Sequence, residues 1–248
     1  MKDNFSRESP LYAKYPPTYP SALFTYIFSL LETKDQAWDC ATGNGQVATQ
    51  LAKEFQIVEA TDISASQVEQ APKLAHIHYS IQPAEQTKFE KDQFDLITVA
   101  QAIHWFDFEK FYAEVNQTLK PNGILAVIGY GLLSISLEID HIIHHFYNNI
   151  IGDYWDEERK YIEENYETIP FSFEEIKTPK FEITYEWTAE DLLNYLNTWS
   201  AVKHYEKEKN ESPLLLIQQQ LKEVWGAKKR KVTFPVLLRV GKKKSFSA

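Results

Sequence analysis

Two acids and a glycine turn frame the chemistry open to this chain. Asp39 precedes the turn Gly43-Asn44-Gly45, and Asp62 closes the next apolar run, Ile57 to Thr61. Glycines let a backbone turn sharply and let a ligand come close. A carboxylate at a strand end can accept hydrogen bonds from both hydroxyls of a ribose. Farther on, His104 is the one well-placed side chain for moving a proton. Cys40, the only cysteine, reads as a small buried residue and not as a nucleophile.

These residues need elements to hold them. Gln36 to Asp39 reads as a short buried strand. Val47, Leu51 and Phe55 recur at helical spacing, and Ile57-Val58 starts a second strand. Strand, glycine loop, helix, strand and acid make the front of a nucleotide-binding α/β unit. Two ligands use it, a dinucleotide and S-adenosylmethionine. A dinucleotide fingerprint wants G-x-G-x-x-G over a helix N-terminus, and here Gln46-Val47-Ala48 follows Gly45. The segment Asp39-Cys40-Ala41-Thr42-Gly43-Asn44-Gly45 resembles the D-x-G-x-G-x-G loop of class I methyltransferases, with Ala41 in place of the first glycine.

Later segments extend the pattern. His76–Ser80, Phe94–Ala100 and Ile124–Ile128 read as strands, with a helix over Phe108–Leu119 and Pro121-Asn122-Gly123 as a turn. The alternation predicts a mostly parallel sheet wound by helices. Ligands in such sheets lie outside the carboxyl ends of the strands, where Asp39, Asp62, Glu85 and Gln101 converge. Ser21–Leu31 reads as a helix with Ser21 as a plausible cap. Helical stretches are expected over Leu137–Ile151 and Glu157–Tyr166, in a strongly acidic segment read mainly as a solvated face. Phe181–Trp187 reads as a strand. Thr188 reads as the cap of a helix over Asp191–Trp199, Leu214–Trp225 as another helix, and Val232–Val240 as an edge or irregular strand containing Pro235. His76 with His78, and Asp140-His141 with His144-His145, have spacings that could suit a metal. No motif completes them, so no metal is expected.

The whole chain bounds the rest. It has 248 residues, one generous domain, and a net charge of −9. That charge argues against nucleic acid as a partner, despite the basic clusters Lys228–Lys231 and Lys242–Lys244. The single cysteine excludes an intrachain disulfide and suits a reducing compartment. No apolar run suggests a signal core or a membrane span, so a cytoplasmic protein without a membrane partner is expected. Oligomeric state is not legible.

The run Phe94 to Phe106, with A-Q-A-x-H-W-F complete from Ala100, extends the resemblance to class I S-adenosylmethionine-dependent methyltransferases. Within them the chain resembles the trans-aconitate methyltransferase and embryo-abundant-like (type 11) group. That group has an arm Y-x-x-x-R-P-x-Y-P; here Tyr12 begins it, Pro17-Thr18-Tyr19-Pro20 ends it, and Pro16 replaces the arginine. Tyr195–Ala201 and Phe234–Gly241 also look typical of it. The resemblance implies a Rossmann-like, seven-stranded α/β fold with an antiparallel last strand and a helical lid insertion. The divisions would be arm and helix 1–32, cofactor core 33–130, lid 131–178 and closing strands and helices 179–248. It implies S-adenosylmethionine as cofactor: Asp39, Ala41 and Gly43–Gly45 at the methionine part, Asp62 at the ribose, Ile63 over the adenine, Ala84 and Glu85 at its edge, Ala100 and Gln101 at the sulfonium. The substrate pocket would draw on Tyr12, Tyr15, Tyr19 and Trp105. His104 would be a base or a positioning residue. The expected acceptor is a small molecule, with a carboxylic acid such as a trans-aconitate-like acid in first place. The alternatives are a NAD-dependent oxidoreductase and an inert S-adenosylmethionine-binding partner protein.

Overall fold

The computed structural model describes residues 17–244, so Tyr12 and Tyr15 of the expected pocket lie outside the described residues. The first half of the chain alternates regularly: α1 (Ser21–Ser29), β1 (Gln36–Cys40), α2 (Ala48–Leu51), β2 (Ile57–Asp62), α3 (Ala65–Gln70), β3 (Ile77–Ile81), β4 (Phe94–Ala100), α4 (Phe108–Thr118) and β5 (Leu119–Tyr130). Then come α5 (Leu137–His145), α6 (Lys160–Glu163), β6 (Glu174–Ile176), β7 (Glu182–Trp187), α7 (Ala189–Leu196), α8 (Ser200–Lys209), α9 (Gln218–Trp225) and β8 (Arg230–Lys242). The sheet runs β3-β2-β1-β4-β5-β8-β6, with β7 also on β8. β1 to β5 are mutually parallel, and β8 enters antiparallel to β5. This is the expected doubly wound sheet with an antiparallel end.

β4 is the centre because its side chains from Phe94 to Val99 are all buried. A parallel strand covered on both faces must be apolar along its length. Leu23, Ile27 and Leu51 pack on one face of the sheet against Val58 and Leu96. Phe111 and Val115 of α4 pack on the other, against Trp38 and Ile97. Each such side chain contributes about 1.5–3 kcal/mol by leaving water. The charged residue in β4 is Asp95. Its Oδ2 accepts from the backbone N–H groups of Asp35 and Gln36, both at 2.9 Å, and its Oδ1 from Lys120 Nζ at 2.8 Å. It ties β1, β4 and β5 together at the end of the sheet away from the glycine turn.

Four expectations are corrected. Eight strands are present among the described residues, because the sixth strand of the expected seven is split: β6 and β7 both lie antiparallel on β8, with registers one residue apart. Pro179, which has no N–H to give, sits in the break. The helix after the glycine turn shrinks to Ala48–Leu51, with turns around it. Pro20, not Ser21, occupies the N-cap of α1, and no side chain caps it. The helix begun at Thr188, with its reciprocal cap to Asp191, ends at Leu196, and a separate α8 follows. No helix among the described residues is long and apolar enough to cross a membrane. No group of three metal-ligating side chains occurs among them either.

Candidate functional site

The carboxyl ends of β1, β2 and β4 gather the acids and the glycine turn. Asp39 is buried, and its two oxygens accept from Thr42 Oγ1 at 2.6 Å and Thr98 Oγ1 at 2.8 Å. Burial pushes its carboxyl up to about 6, opposed by the two hydroxyls and the Ala48 N–H and aided slightly by Asp62. Among the described residues no cation faces it as Lys120 faces Asp95. Asp62 Oδ2 accepts from the Gly43 N–H and Oδ1 from the Ser64 N–H, both at 2.8 Å. These two backbone donors fix the carboxylate's orientation and leave a lone pair on each oxygen for a further donor. Ala41, Gly43 and Gly45 all take left-handed backbone, with φ of 55°, 56° and 80°. That conformation explains why a glycine suits the position of Ala41. Gly45 also has no room for a side chain, since a Cβ there would lie 2.4 Å from the Tyr79 hydroxyl.

The neighbouring expected residues take known places. Ile63 is half-buried beside Asp62, and Ala84 is buried. Glu85 Oε1 accepts from the Asp107 N–H at 3.2 Å, at the start of α4. Ala100 ends β4, and Gln101 follows with φ 52°. Tyr19 packs on Tyr130 with ring centres 6.2 Å apart, and its buried hydroxyl has no hydrogen-bond partner among the described residues. Burial raises that hydroxyl's pKa, and the nearby Tyr130, Tyr166 and Asp39 raise it further. Burial likewise pushes the Cys40 thiol up, as an inert core residue requires.

Next to Gln101 opens a small cavity of about 110 Å³. Gln101, His104 and Trp105 line it from one side, Tyr130 from β5, Trp155, Asp156 and Arg159 from the segment before α6, Ile162 from α6 itself, and Tyr195, Thr198, Trp199 and Ser200 from the α7–α8 junction. Tyr19 does not line this cavity. Five of its lining residues are Trp or Tyr. Arg159 is the cation in it. The guanidinium lies 4.7 Å from the Trp155 ring centre and 5.5 Å from that of Tyr147, and its Nε donates to Tyr147 Oη at 2.7 Å. No carboxylate pairs with it among the described residues. His104 is buried and its pKa falls to about 3, chiefly from burial and then from the nearby Arg159 charge, with Glu158 opposing. It is neutral at any physiological pH.

Apart from Trp105, the aromatic residues of this wall and Arg159 escaped the sequence reading. Arg159 lay in a run of acids taken for a solvated face. No helical spacing signalled the pair, because Trp155 and Asp156 are extended and Glu157–Arg159 is a single 3-10 turn.

A family model for the methyltransferase domain matches residues 38–127. A protein of Dictyostelium discoideum with a methyltransferase name is 34% identical over 97% of this chain and 95% of its own length. This chain belongs to the methyltransferase family. A solved structure from Anaeromyxobacter dehalogenans, named as a type II methyltransferase, is 33% identical with a TM-score of 0.86, over 93% of this chain and all of that one. A methyltransferase from Bacillus halodurans, 19% identical with a TM-score of 0.55, shares the fold over 91% of this chain and 99% of its own.

The family sets aside the dinucleotide reading and makes S-adenosylmethionine the cofactor of this methyltransferase. The residues present fit it. The glycine turn is open above Gly43, where a Cβ would meet nothing closer than Gln67 Oε1 at 4.0 Å. At the same strand ends Asp62 keeps a lone pair on each oxygen for a further donor, and the buried Tyr19 hydroxyl has no partner among the described residues.

Proposed function

We propose that this methyltransferase transfers a methyl group to a carboxylate oxygen of a small, flat organic acid. Arg159 in the aromatic cavity beside Gln101 carries the reading. An anion leaving water needs a cationic partner, and a guanidinium stacked on aromatic rings is preorganised to be one. The finer likeness to the trans-aconitate group agrees, and Arg159 answers the loss of the arm arginine at Pro16. One arginine beside Asp156 suits one carboxylate better than three.

In this proposal Asp39 and the Gly43–Gly45 backbone hold the methionine part of the cofactor and Asp62 its ribose. Ile63, Ala84 and Glu85 enclose the adenine, and Ala100 and Gln101 lie at the sulfonium. The cofactor supplies an already activated methyl group. The chain has only to align the acceptor and exclude water. The aromatic walls do both, since they orient a flat acid and leave little room for solvent. No base is required, because a carboxylate is ionised at neutral pH. His104 would be a poor base with its pKa near 3, since base catalysis works best near the operating pH.

Turnover across mono-, di- and tricarboxylates, phenols and amines tests the reading. A monocarboxylate is expected to lead, with a rate nearly flat from pH 6 to about 8. Arg159→Gln should lower its kcat/KM by about a hundredfold, given ~2–5 kcal/mol for truncating one partner of a desolvated charge pair. S-adenosylhomocysteine affinity should not change. A phenol or amine whose rate rises with a histidine-like pKa, and is lost in His104→Ala, would overturn it.

A further inference from the structure

The hydrogen bonds behind the cavity fix which nitrogen of His104 carries its proton. Gln101 Nε2 points at the Tyr130 backbone oxygen, 3.4 Å away, which can only accept. The amide oxygen of Gln101 therefore faces Tyr166 Oη, at 3.2 Å. An amide oxygen only accepts, so the single hydroxyl proton of Tyr166 is committed to it. Tyr166 Oη is also 3.2 Å from His104 Nδ1. With its proton spent, the hydroxyl can only accept there, so Nδ1 carries the hydrogen. His104 is neutral, which leaves Nε2 as a bare lone pair. Nε2 has no hydrogen-bond partner among the described residues, and His104 lines the cavity.

The fold is arranged to deliver Tyr166 to this point. Asn165 and Tyr166 both take left-handed backbone, with φ 54° and 62°. Such conformations persist only where surrounding contacts impose them. Here Arg239 Nη1 donates to the backbone oxygens of Tyr166 and Ile169, both at 2.8 Å, while Glu175 holds the same guanidinium at 2.8 and 2.9 Å. The ring is fully buried over Gly129, where a Cβ would lie 2.6 Å from Tyr166 Cε2. A tyrosine from the segment between β5 and β6 is thus clamped under two residues of the β4 loop.

We propose that Tyr166 is a positioning residue that locks His104 in its Nδ1–H tautomer and turns an acceptor toward the substrate, so that the accepted molecule carries a hydroxyl or similar hydrogen-bond donor besides its acidic group. The acidic group rests on the function proposed above; the tautomer does not. Asp156 adds a second acceptor to the same cavity, so a donor on the substrate has partners where a purely apolar acid would leave them unmatched.

The test uses the full chain with S-adenosylhomocysteine. Nitrogen-15 NMR of histidine-labelled enzyme should show His104 neutral with the proton on Nδ1. In Tyr166→Phe, which keeps the ring, the proton should move wholly or partly to Nε2. In parallel, kcat/KM is compared for hydroxylated substrates and their deoxy analogues, drawn from whichever compound class turns over. The wild type should prefer the hydroxylated member by about ten- to hundredfold, mainly through KM. Tyr166→Phe should bring the pair within a few-fold. An Nε2–H tautomer in the wild type overturns the proposal, and that measurement stands even if the variant fails to fold. A variant with unchanged tautomer and unchanged preference overturns it too. If acids do not turn over but tautomer and preference behave as expected with another class, the positioning role holds and the acid reading fails.

Discussion

The two ends of the central sheet treat a buried aspartate in opposite ways. At the lower end Asp95 meets Lys120 and two backbone N–H groups; burial pushes its pKa up, but these partners outweigh it and hold it below the usual carboxylate range. At the upper end Asp39 meets two hydroxyls and one N–H but no cation among the described residues, and burial raises its pKa to about 6. The opposite signs separate two jobs. A group whose folded pKa is lowered contributes stability above its unfolded value and loses it as pH falls through the folded one. A group whose folded pKa is raised does the reverse, and its cost appears as pH climbs. For Asp39 a rise of this size is about 3 kcal/mol carried above pH 6. Evolved folds tolerate such a cost at sites where a ligand supplies the missing partner.

The largest effect that sharpens this contrast is Asp95→Ala. It leaves two backbone N–H groups and the Thr33 hydroxyl without their acceptor, and Lys120 Nζ with Asp35 alone, 3.3 Å away. Unfolding in denaturant at pH 7 should show a loss of about 3 kcal/mol, the scale of a broken buried ion pair. The affinity for S-adenosylhomocysteine should stay within a few-fold. A comparable loss of affinity would mean that the lower end of the sheet is not purely structural.

Asp62→Ala comes next and should behave the other way. Calorimetry should show S-adenosylhomocysteine bound about ten- to hundredfold more weakly, since hydrogen bonds to a charged group are worth about 1.5–3 kcal/mol. Some stability will go as well, because the Gly43 and Ser64 N–H groups lose their acceptor. Asp62→Asn, which keeps one acceptor, should fall between. Unchanged affinity in both variants would mean that the ribose is held elsewhere.

The same contrast between regions explains what the sequence made legible. Asp39, the glycine turn and Asp62 lie within one βαβ unit, so their order along the chain is their order in space. The strands β1 to β5 were readable because burial on both faces forces unbroken apolar runs such as Phe94–Ala100. The substrate side draws single residues from four stretches, those around His104, Tyr130, Arg159 and Trp199. No local period links such distant pieces, and aromatic residues in each look like ordinary core. Arg159 and Tyr166 were hidden for another reason: the one sits among acids, and the other lies within a turn in a left-handed backbone that tyrosine rarely takes. The splitting of the sixth strand at Pro179 was visible in principle, as a proline between two alternating runs.

The smallest predicted effect probes Asp39 itself. Thr98→Val keeps the shape of the side chain in β4 and removes one donor to Oδ1. That donor favours the charged carboxylate, so its loss should raise the folded pKa of Asp39 further above 6. At pH 8 the group is ionised, and the variant should be less stable by about 1.5–3 kcal/mol, the worth of one hydrogen bond to a charge. At pH 5 most of the folded population has Asp39 protonated, the bond matters less, and the loss should shrink to half or below. Denaturant midpoints at the two pH values decide it. Equal losses at both would mean that Thr98 acts only by packing, and that the charge on Asp39 is stabilised by something other than these hydroxyls. A pH-dependent loss that disappears on adding S-adenosylhomocysteine would go further, tying the strain at the upper end of the sheet to the ligand that relieves it.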